Sequence, residues 1–253
     1  MARPNSMRKT NQRGIVIGPI LFIVAILAVL AAAIAAGSGA FNGDISTVSA
    51  KAQASAILGY ANEVKFAVDR LIAKGCTDTE ISFENPIVSG YTNPNAPSDK
   101  SCHVFDVNGG GITYQKPLSD WPDKSLDNQI YYGHWLISSR TCIPGLGSSL
   151  GSSCWSDGID NEHLIASLHY IHKEICFEIN KMVGLQIPVD DVAPTDPGCS
   201  LVGKFTGTYS DTVALDTSWP NTFAGHVIGC YRASPGCGNI GAGYHFYQVL
   251  IVR

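Results

Sequence analysis

Residues 15–36 read IVIGPILFIVAILAVLAAAIAA, 22 positions without a charged or strongly polar side chain. As a helix this run rises about 33 Å, close to the roughly 30 Å hydrocarbon core of a bilayer. Four basic residues, Arg3, Arg8, Lys9 and Arg13, precede it with no acid among them. The excess of positive charge predicts that this end stays cytoplasmic and that everything after residue 36 is exported. A removed secretory signal is the competing expectation, with an A-x-A-like site at Ala33-Ile34-Ala35. The usual apolar core of such signals spans only about 7–15 residues, so the length favours a retained span.

The cysteines agree with export. All eight (Cys76, Cys102, Cys142, Cys154, Cys176, Cys199, Cys230 and Cys237) follow the apolar run, and none has the short C-x-x-C or C-x-x-H spacing of a zinc site. An even count in loop-rich sequence predicts disulfides in an oxidising compartment. Neighbour pairing, Cys142 with Cys154 and Cys230 with Cys237, is the simplest expectation, although spacing alone does not fix the map. Past the leader, 13 basic and 21 acidic residues leave a mildly acidic body. That balance is a poor match for a nucleic-acid partner, since phosphate binding needs a clustered positive field.

Arg13-Gly14 followed at once by the apolar run resembles the leader of type IV pilins and type II secretion pseudopilins. The resemblance implies cleavage between Gly14 and Ile15 on the cytoplasmic side, with the apolar segment kept on the mature protein. One position departs from the pattern. Pilins carry a glutamate at the fifth mature position, where Pro19 stands here; certain minor pseudopilins lack it too. The implied fold is α+β: a long N-terminal helix, part membrane span and part amphipathic, packed on an antiparallel β-sheet head with one further helix and several disulfides. The implied organisation is a basic leader (1–14), a transmembrane helix (15–36), an amphipathic linker helix (37–75) and a β-rich head (76–253). The implied role is non-enzymatic: a structural subunit of an envelope filament or secretion apparatus in the bacterial inner membrane. Its head would be periplasmic or extracellular, and its partners the membrane and copies of itself or other pilin-like subunits. No cofactor is expected.

Residue patterns place elements within that frame. Ile57, Tyr60/Ala61, Val64, Ala67/Val68 and Leu71 recur at three- and four-residue steps, predicting a helix over 46–74 capped at Gly75. Strands at 102–107 and 112–116 are expected to form a hairpin with a flexible tip at Asn108-Gly109-Gly110-Gly111. Further strands are predicted at 129–138, 204–209, 212–216, 223–231 and, centrally, 244–252. A helix from Asn161 to Val183 is expected, begun by Asp160 and ended by Gly184, with a loop over 185–203.

Candidate chemistry is sparse. Gly147-Ser148-Ser149-Leu150-Gly151 matches G-x-S-x-G, but that motif needs a strand before and a helix after the serine. A stretch dominated by Gly and Ser explains the match better than a hydrolase using Ser149. His169 and His172 stand three apart on the expected helix, with His163 nearby, and no third ligand shares their face. A histidine pair on the helix's polar flank is the expectation. Asp157, Asp160, Asn161 and Glu162, and separately Asp190, Asp191 and Asp196, are oxygen-rich, but neither run has the EF-hand pattern. The resemblance adds only that major pseudopilins bind calcium through a C-terminal loop. Aromatic residues, among them Trp121, Tyr131, Trp135, Tyr231, Phe246 and Tyr247, are expected chiefly in the core and in strand pairs. The alternative to a filament subunit is a signal-anchored binding or adhesion domain that does not assemble.

Overall fold

The computed structural model describes residues 47–147, 154, 162–185, 195–196, 202–209, 213–215, 223–233 and 242–253. The first described element is a helix, α1, over 47–73. Its apolar stripe is buried as the spacing predicts: Ala54, Ile57, Ala61, Val68 and Leu71 are fully covered, and Tyr60, Val64 and Ala67 nearly so. Gly75 ends the helix in a left-handed conformation (φ 102°), and the Cys76 N–H closes back on the Leu71 carbonyl at 3.1 Å.

Among the described residues a short 3-10 turn (Lys124–Leu126) is followed by β1 (Trp135–Cys142), β2 (His163–Ile171), α2 (Lys173–Val183), β3 (Thr195–Asp196), β4 (Val213–Ala214), β5 (Ile228–Ala233) and β6 (Gly243–Ile251). The six strands form one sheet in the order β3-β5-β6-β2-β1-β4. Each of the four long strands runs antiparallel to its neighbours among them, and two-residue parallel segments finish each edge. Register pairs Ile137 with Ala166, Leu168 with Phe246, and Cys230 with Phe246.

Both faces of the sheet are covered. Leu164, Ala166, Leu168, Phe246, Leu250 and Cys230 join the stripe of α1 and the Ile175, Phe177 and Ile179 side of α2 in one core. Ile165, Tyr170, Tyr231, Tyr247 and Val249 face the other way, against Ile143, Leu185, Leu215 and Phe223. Apolar residues on both faces are what a central strand covered on both sides requires. This accounts for β6 lying centrally, as its sequence predicts, and for β2 being buried at every position.

β2 corrects the expected helix. Residues 163–171 are strand, and the helix begins only after His172, which caps it with extended backbone. Leu164, Leu168, Ile171, Ile175 and Ile179 do share one core, but by two geometries in sequence: period two, a bulge, then period 3.6. At the bulge Tyr170 has φ 60°. His169 and Tyr170 consequently point to the same face, and Ile171 returns to the α1 side. Gly184, left-handed at φ 75°, ends α2 as expected.

Other expectations shift as well. The segments 102–107 and 112–116 do not pair as a hairpin; the one ladder contact there is a bridge between Ser82 and His103. Gly109 and Gly110 are buried glycines pressed onto the His103 and Val104 backbone, where a β-carbon would collide. Strand begins at Trp135 rather than 129 and at Ile228 rather than 223, 204–209 carries no strand, and of the 212–216 strand the described part is Val213–Ala214. Three disulfides are described: Cys76–Cys102, Cys142–Cys154 and Cys176–Cys230. The second follows neighbour pairing. The third overturns Cys230–Cys237, because the strand–helix order brings Cys176 on α2 over β5. Cys199 and Cys237 lie outside the described residues.

Candidate functional site

Strand β1 meets β4 only at Thr141 and Cys142, so its first residues need other partners for their outward backbone groups. Tyrosine hydroxyls supply them. The Tyr91 hydroxyl donates to the Trp135 carbonyl (3.2 Å) and accepts from the Ile137 N–H (3.0 Å), and the Tyr114 hydroxyl accepts from the Trp135 N–H (3.2 Å). The Phe205 N–H donates to the Ile137 carbonyl at 2.8 Å. Burial pushes both phenols up, that of Tyr114 to about 12, so they remain neutral donors and acceptors.

These edge contacts build a cleft of about 420 Å³ lined by Val88, Tyr91, Ile130, Tyr131, His134, Trp135, Leu136 and Lys204. The turn before β1 shapes its mouth, with Tyr131 and Gly133 both at φ 67°. The Gly203 N–H donates to the Tyr131 hydroxyl at 3.2 Å and ties the 203–204 segment to that turn. Lys204 donates to the Ser89 carbonyl (2.7 Å), with its ammonium 5.6 Å from the centre of the Tyr91 ring. Burial first, then the charges of Lys204 and Lys116, hold the His134 imidazole below its usual range. Among the described residues, no carboxylate lines the cleft.

Behind Tyr131, whose ring lies 5.7 Å from that of His169, sits a fully buried imidazole pair. Ser167 Oγ donates to the Leu136 carbonyl (3.2 Å), and so accepts from His169 Nε2 at 3.0 Å. His169 Nδ1 is then left to accept from His245 Nδ1 at 2.9 Å. Tyr231 stacks on His245 with ring centres 5.4 Å apart. Burial alone drives His169 down to about 3, which fixes it as a neutral link.

No known protein family, curated protein or solved structure matches the chain. The sequence-predicted residues therefore stand on their own geometry. His163, His169 and His172 are not a helical cluster. His163 opens β2, His169 faces His245 across the sheet, and His172 caps α2. Among the described residues, no group of three His, Cys, Asp or Glu side chains is placed to hold a metal. Ser149, Asp157, Asp160, Asn161, Asp190 and Asp191 lie outside the described residues, as do Gly14, Ile15 and the apolar run 15–36. Among the described residues no helix is long and apolar enough to cross a membrane. Glu162 is buried beside β2, and Trp121, Trp135, Tyr231, Phe246 and Tyr247 are core residues, as expected of the aromatics.

Sequence reading missed His245, Tyr91 and Lys204. His169 and His245 are 76 positions apart, and no spacing rule links them. The available signal was polar content within an otherwise apolar final strand, where a buried histidine demands a partner.

Proposed function

We propose that this chain is a non-enzymatic, membrane-anchored, pilin-like or pseudopilin-like structural subunit. Residues 15–36 form the anchor and the disulfide-braced domain is the exported head. The observation that carries the reading is α1. It is an amphipathic helix that follows the apolar run in sequence and buries a single stripe against an antiparallel sheet. Three disulfides in the head agree with export to an oxidising compartment. In this reading the partners are copies of the chain or other pilin-like subunits, met through the membrane segments. There Ala31-Ala32-Ala33 and Ala35-Ala36 permit close helix approach in place of the missing glutamate contact.

Mass spectrometry of the mature N-terminus tests it. A polypeptide beginning at Ile15 is the expected result. An intact Met1 end would point to a simple anchor, and a new end near residue 36 to a secreted protein. The simple-anchor reading, a binding domain that does not assemble, draws on the cleft beside β1.

A further inference from the structure

We propose that the cleft between Tyr91, the Ile130–Trp135 turn and Lys204 binds a small organic carboxylate with a flat or compact apolar body. Its volume of about 420 Å³ falls in the range of small-molecule sites, roughly 300–1,000 Å³. Val88, Tyr91, Tyr131 and Trp135 give it aromatic and aliphatic walls, and Ile130, 48% exposed, stands at the rim.

The polar groups select an anion. Lys204 has three N–H donors, and one of them goes to Ser89. His134 Nδ1 is buried without a hydrogen-bond partner among the described residues. Lys116 adds positive charge near His134, and among the described residues no acid lines the space to offset it. This local field opposes the acidic balance of the body as a whole. A phosphate would call for several convergent donors, whereas one ammonium set among aromatic faces suits a carboxylate carried on an apolar group. The left-handed backbone at Tyr131, costly for a non-glycine residue, sits in the wall of this cleft.

The inference does not depend on the filament reading. Calorimetric titration of the full chain in non-ionic detergent, with detergent blanks, tests it using benzoate, phenylacetate and cyclohexanecarboxylate, with benzamide as the uncharged isostere. At least one carboxylate is expected to saturate, and benzoate to bind roughly tenfold or more tighter than benzamide. Lys204→Met should abolish that preference and Lys204→Arg should keep most of it. Ile130→Glu, a rim change that leaves the walls intact, should weaken carboxylate binding and spare benzamide, and it decides the matter if Lys204→Met does not fold. The proposal is overturned if no carboxylate saturates by about 10 mM, if benzamide matches benzoate, or if both the Lys204→Met and Ile130→Glu variants bind benzoate like the parent.

Discussion

Two buried polar residues show how individual side chains hold this fold. Asn180 on α2 accepts from the Cys230 N–H and donates to the Cys230 carbonyl, both at 2.8 Å, and so satisfies an outward-facing stretch of β5. Asn180→Ala leaves two buried backbone groups unmet and should cost about 2–4 kcal/mol, read as a lowered urea midpoint. His169 works through its proton count. Its folded value of about 3 lies well below the unfolded value near 6.5, so the unfolded chain binds more protons between those limits. Its contribution is complete above about pH 6.5 and is lost as the pH falls toward 3, at up to about 1.4 kcal/mol per pH unit. Burial also depresses His103, His134 and His163, and each acts in the same direction. Urea unfolding at pH 7, 6 and 5 should show stability declining with acidity, and His169→Phe should flatten the profile.

The elements differ in how plainly the sequence announces them. For α1 a single period of 3.6 runs unbroken to a glycine, and the structure follows it almost residue for residue. The last strand was legible for a comparable reason, an apolar run too short for a helix and covered on both faces. The stretch 161–183 misled because leucines and isoleucines fall at helical intervals across a strand, a bulge and a helix in turn. Only the non-local pairing with β6 decides between those geometries. The cleft was illegible for the same physical reason: Tyr91, Tyr131 and Lys204 come from three separate loops that meet beside the part of β1 that β4 does not cover. The one-sidedness of α1 yields a direct test. Ile57→Ala, at a fully buried position, should cost about 2–5 kcal/mol. Phe66→Ser, at a residue 71% exposed, should stay within about 0.5 kcal/mol in the same denaturant series.

For the whole molecule, the covalent ties govern how the fold responds to a pull. If the chain is anchored at one end, as proposed above, load would reach the disulfide-braced domain along α1 and pass on to the sheet. The bond between Cys176 and Cys230, 54 positions apart, short-circuits the chain between them, including most of α2 and the start of β5. Those residues cannot lengthen under tension while the bond is intact. At roughly 3.5 Å per extended residue they conceal about 190 Å of contour. Stretching single molecules by their termini should therefore give a shorter final extension in oxidising buffer. Adding a reductant should release that hidden slack, so that the redox state of the surroundings sets how far a loaded subunit can give.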